Sequence, residues 1–111
     1  VSIRTERIGD LIQAEVSWIL ARRVKDPRIR MTTITGVDVS PDLLQAKVFF
    51  SVHGEEAAWT STQEGLEAAA GFIRRELGGR LRLRRVPELT FVADRSLERA
   101  ARIERLLAGG D

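Results

Sequence analysis

Six arginines fall between residues 74 and 85: Arg74, Arg75, Arg80, Arg82, Arg84 and Arg85. A guanidinium is a planar, permanently charged fork that matches phosphate oxygens two at a time, so this cluster suits a polyanion. Between residues 80 and 85 the arginines alternate with Leu81 and Leu83. An extended chain there puts charge on one side and apolar anchors on the other. Arg74 and Arg75 precede this run on a helical pattern, exposed if Ile73 and Leu77 are buried. A second basic group, Arg22, Arg23, Lys25, Arg28 and Arg30, follows the first helical pattern. The competing reading is a solvated surface, with arginines paired to Glu76, Glu88 and other local carboxylates.

Little else offers chemistry. The one histidine, His53, stands beside a glycine at the end of a strand pattern, where a turn residue is the simpler reading. With no cysteine and one histidine, a zinc site of the usual ligand types is not expected, nor is a disulfide or a thiolate nucleophile. Glu55 and Glu56 open a helical pattern, where carboxylates favour the helix dipole. Neither a P-loop nor a dinucleotide fingerprint is present, since Gly78-Gly79 lacks the spacing. Trp18 and Trp59 could stack on bases, but at helical positions each reads more simply as partly buried core. No catalytic set, metal or cofactor is expected.

The whole chain, residues 1–111, reads as one domain, with 43% hydrophobic and 31% charged residues. Net charge is only +2, but it is unevenly distributed. Residues 1–30 carry +3, residues 31–70 carry −5 and residues 71–105 carry +5. Two basic blocks flank an acidic middle, a distribution consistent with a phosphate-rich partner. No apolar run approaches the ~18 residues of a membrane span, and a secretory layout is missing at the N-terminus. The expectation is a cytoplasmic, monomeric protein without membrane contact.

These side chains need elements to position them. Ile8, Leu11, Ile12, Val16, Ile19 and Leu20 recur at helical spacing from about Arg4 to Val24, and Asp26-Pro27 predicts the stop. Residues 32–39 are β-branched and predict a strand with a bulge near Gly36. Ser40-Pro41-Asp42 marks a turn. In residues 45–52, Ala46, Val48, Phe50 and Val52 alternate as a buried face, completing an antiparallel hairpin. A helical pattern from Glu55 carries its stripe through Leu66, Ala69, Ala70, Ile73 and Leu77, across Gly71. That predicts one bent helix or two closely coupled ones, stopped at Gly78-Gly79. Residues 88–93 predict a third strand. A last helix, capped by Asp94 or Ser96, carries Leu97, Ala100, Ile103 and Leu107 as its apolar stripe. The order α-β-β-α-α-β-α predicts an α+β fold, a three-stranded sheet with helices on one face.

The stretches "VKDPRI", "SPDLLQAKVFFS", "AAGFIRRELGGRLRLRRVPELTF" and "DRSLERAARIERLL" resemble the ribosome-binding factor A family almost from end to end. The combination of "GFIR" with the following "RLRLRRVPELTF" is the most specific part. The resemblance implies a K-homology-like domain of the bacterial type (type II). It also implies association with the small (30S) ribosomal subunit and its 16S rRNA during late maturation and rRNA processing, with a role in growth in the cold. K-homology domains usually hold nucleic acid with a Gly-x-x-Gly loop. No two glycines here stand three residues apart; the family's Ala-x-Gly kink matches Ala69-Ala70-Gly71.

Two functions therefore remain open from the sequence. One is an assembly factor without enzymatic activity, contacting rRNA phosphates through both arginine groups. The other is a protein-interaction module acting on ribosomal proteins or a maturation GTPase.

Overall fold

The computed structural model describes residues 3–109. Helix α1 spans Ile3–Arg22 and buries Ile12, Val16 and Ile19, all fully shielded from solvent. It ends before Asp26-Pro27, whose geometry builds a separate 3₁₀ turn, Pro27–Ile29. Asp26 is held extended before the proline, and its carboxylate accepts from the Arg28 amide at 2.9 Å. Strands β1 (Thr32–Val39) and β2 (Gln45–Val52) form the antiparallel hairpin. Their register slips between Ile34 and Gly36, which places the extra residue at Thr35. That slip lets Ile34 and Val39, an odd number of residues apart, both face the core.

One helix, α2, runs from Glu56 to Arg80. Of the two arrangements expected across Gly71, the structure has the single helix, and Gly78-Gly79 lie inside it instead of ending it. The C-cap is Leu81, whose amide donates to the Leu77 carbonyl at 2.8 Å. Gly78 has a different role: a Cβ there would stand 3.0 Å from Val86 Cγ2, closer than ordinary contact, so its bareness leaves room for the following loop. Helix α2 is also the crossover that parallel pairing requires. Strand β3 (Glu88–Ala93) lies parallel to β2, giving the sheet order β1-β2-β3.

Helices α1 and α2 pack on each other and on one face of the sheet, around Phe50, Val48, Leu66, Ile73 and Phe91. Gly9 permits this closeness, since a Cβ there would meet the Val37 carbonyl oxygen at 2.8 Å. The layout is the expected α+β, K-homology-like one. Helix α3 (Ser96–Leu107) forms where its periodicity predicts, and Asp94 receives the Ser96 amide at 3.0 Å. Its stripe does not join the core, however: none of its residues is buried, and Leu97, Ile103, Leu106 and Leu107 are exposed. The covered sheet face is already occupied by α1 and α2.

Candidate nucleic-acid interface

The C-terminal halves of α1 and α2 lie side by side and are tied together by charge. The Arg80 guanidinium pairs with the Glu15 carboxylate, and Arg23 Nε meets Glu76 at 3.0 Å. Between them stands Trp18, with Arg80 stacked 3.8 Å from its ring centroid and Arg22 at 5.9 Å. Indole faces attract guanidinium ions through their quadrupole. The two basic sequence groups therefore meet across this seam. Their charges are anchored here by Glu15, Glu76 and an aromatic face.

Beyond Arg80 the chain leaves the helix as an irregular loop leading into β3. Leu81 and Leu83 are half-buried, while Arg82, Arg84 and Arg85 are exposed. Among the described residues, these three arginines have no hydrogen-bonding or ion-pair partner. The loop they ride on is fastened by Arg74. Its Nε donates to the Pro87 carbonyl at 3.1 Å, its Nη2 to the Val86 carbonyl at 2.8 Å, and Glu88 lies 3.9 Å from Nη1. Arg74 faces the protein's own backbone, a role charge counting could not reveal. Arg75 is exposed, one turn past Gly71.

Ala69 is half-buried and Gly71 exposed, both within the unbroken α2. A Cβ on Gly71 would meet only Arg75 Nη1, at an ordinary 3.6 Å. Arg28 is fully engaged by Asp26, through contacts of 3.1, 3.1 and 2.7 Å. Those bonds, chiefly from the Arg28 side chain and then its amide, hold the Asp26 carboxyl below the usual carboxylate range. The Arg28 carbonyl accepts from Thr62 Oγ1 at 2.8 Å, fixing the turn to α2. Lys25 and Arg30 are exposed on the other side of this turn, with no ion-pair partner among the described residues.

The two tryptophans separate in role. Trp59 is buried against Phe50, ring centroids 6.1 Å apart, with Arg95 over its outer face at 4.3 Å. Trp18 keeps 36% exposure on the basic seam, and core membership misses this. The signal was available: Trp18 lies off the Ile12-Val16-Ile19 stripe. His53 is exposed at the hairpin's end, and Glu56 is engaged by Arg95 at 2.6 and 3.0 Å. Among the described residues no group of three His, Cys, Asp or Glu could hold a metal. No described helix is long and apolar enough to cross a membrane.

The family model described as "Ribosome-binding factor A" matches residues 4–107. A ribosome-binding factor A of Thioalkalivibrio sulfidiphilus is 52% identical over 104 residues, 94% of this chain and 81% of the relative. A Thermotoga maritima protein solved by NMR is 29% identical with a TM-score of 0.75, over 88% of this chain and 93% of the other. A homology model of the Thermus thermophilus ribosome binding factor A, fitted into a cryo-EM map of a 30S complex, is 25% identical. Its TM-score is 0.64, covering 78% of this chain and 91% of that one. With a matched model over nearly all its length and relatives at about half identity, the chain belongs to the ribosome-binding factor A family.

Proposed function

We propose that this protein binds the small ribosomal subunit through 16S rRNA and assists its late maturation, including rRNA processing, without making or breaking bonds. The observation that carries this reading is the unpartnered set Arg82, Arg84 and Arg85, exposed on a loop that Arg74 pins to the fold. Exposed arginines with no carboxylate partner keep their full attraction for phosphate. Membership of the family supports the subunit as partner, since a relative is described in a 30S complex. Binding of this kind acts by differential affinity, favouring one rRNA arrangement over another. A contribution to growth in the cold follows the same logic, because misarranged rRNA rearranges more slowly as temperature falls. Titrating small-subunit binding against salt tests the reading. A steep loss with rising salt is expected; a flat dependence removes the phosphate-led interface.

A second reading is favoured by one feature, the exposed stripe Leu97, Ile103, Leu106 and Leu107 on α3. A ribosomal protein or a maturation GTPase could cover it. Charged replacements on that stripe that abolish subunit binding, with the loop arginines intact, would support protein contact as the main anchor.

A further inference from the structure

A groove of about 640 Å³ lies between the last turns of α1 and the first residues of β1. Its floor is apolar: Leu20 from the helix, Val24 just past its end, Ile29 from the 3₁₀ turn and Ile34 from the strand. Its size is in the range of small-ligand sites, and convergent polar groups accompany the apolar floor. Ser17 contributes a hydroxyl on the helical wall. On the strand wall Thr32 Oγ1 is buried with no hydrogen-bond partner. A buried hydroxyl without a partner carries a desolvation cost that a bound polar group would relieve. Lys25 and Arg30 stand at the rim with no carboxylate partner among the described residues, while the third charged rim residue, Asp26, is held by Arg28.

We propose that this groove takes one unstacked nucleotide of a single-stranded RNA. The base lies on the apolar floor, Ser17 reads its edge, Thr32 turns its buried hydroxyl about χ1 to meet the same edge, and Lys25 and Arg30 hold the flanking phosphates. Single-stranded RNA is recognised through splayed bases hydrogen-bonded at their edges, and here the aliphatic floor would shield the base face that an aromatic ring covers elsewhere. An added peptide strand fits less well. Although β1 is an edge strand, Gln13 Nε2 already occupies the Ile34 carbonyl at 3.1 Å, interrupting the ladder at the point where the groove meets the strand. The groove borders β1, whereas the Arg82–Arg85 loop leads into β3 at the opposite sheet edge. It is therefore a separate RNA contact, and it rests on the RNA-binding reading above.

The test is NMR titration of the labelled protein with the hexaribonucleotides rU6, rA6 and rC6, following the amides of Val24, Thr32 and Thr33. Saturable shifts at these amides are expected. Thr32→Val should weaken binding roughly fivefold, more for one homopolymer than the others, without lowering Tm. Ser17→Trp, at an exposed position, should fill the groove and remove the shifts. Lys25→Ala with Arg30→Ala should weaken all three homopolymers alike. Absence of shifts, or Ser17→Trp binding as the parent does, overturns the proposal. So do shifts produced by a hexaglutamate peptide or by free UMP but by no hexaribonucleotide. Subunit binding of an Arg82→Glu, Arg84→Glu, Arg85→Glu variant separates the two levels. Retained affinity removes the Arg82–Arg85 loop as the main rRNA contact, and retained affinity with a silent groove removes the broader rRNA reading as well. Lost affinity with a silent groove removes the groove proposal alone.

Discussion

Arg22, Arg23 and Arg28 near the end of α1 contrast with Arg82, Arg84 and Arg85 after α2. In sequence the two trios look alike, each a dense patch of permanent positive charge. In the fold the first trio is engaged: Arg22 near Trp18, Arg23 on Glu76, and Arg28 on Asp26. The second trio is exposed, without partners among the described residues. Arginine density is therefore a poor measure of available charge. What decides availability is whether the fold brings a carboxylate or an aromatic face within reach.

The sharpest way to break this contrast is to reverse the free trio. Arg82→Glu, Arg84→Glu and Arg85→Glu together should lower small-subunit affinity about a hundredfold or more near ~0.1 M salt, with Tm unchanged. Replacing Arg22, Arg23 and Arg28 by alanine should do the converse, lowering Tm while affinity falls less. Equal affinity losses from both triples, measured by co-sedimentation, would erase the distinction.

Arg74 lies between these behaviours. Arg74→Ala frees the Val86 and Pro87 carbonyls and should destabilise by about 1 kcal/mol, allowing for partial exposure. Because the loop that presents the free trio loosens, affinity should also fall several-fold, which denaturant melts and binding assays can separate. Gly71→Ala should raise stability by about 0.5–1 kcal/mol, since the helix is unbroken there and a methyl group fits. We expect association to weaken all the same; if it is unchanged, Gly71 is helix surface and no RNA approaches it.

The smallest expected effect concerns pH. Asp26 has its folded pKa lowered by the Arg28 side chain and amide. Its stabilisation is therefore present above the ordinary carboxylate pKa and lost as pH falls through the lowered one. Asp26→Asn should flatten the acid limb of a Tm-versus-pH curve below about pH 4. An unaltered limb would assign acid sensitivity elsewhere, with Asp94 and its bonds from Ser96 as the next candidate.

Much of the fold was legible because periodicity reports burial directly. The Ile12-Val16-Ile19 stripe and the Ala46-Val48-Phe50-Val52 alternation face the core as their spacing requires. Two elements depart from their sequence patterns for local reasons. Gly78-Gly79 carries a helix-stop signature, but Gly78 is there for clearance against Val86, a contact eight residues away. The stripe of α3 is strongly amphipathic, yet a pattern cannot say whether the core still has room. The site was less legible than the fold. Arg80 pairs with Glu15 across 65 residues of chain, and no local rule selects that partner. The charges were visible in the sequence, but the pairings that consume some of them arise only on folding.

The stack of Arg80 on Trp18 has a practical consequence. The protein holds two indoles, each under a guanidinium but in unlike settings: Trp59 is buried, whereas Trp18 is part-exposed on the basic seam. If RNA phosphate draws Arg80 away, Trp18 emission changes while Trp59 stays constant. Arrival of RNA at the seam can then be timed by intrinsic fluorescence, with no dye attached.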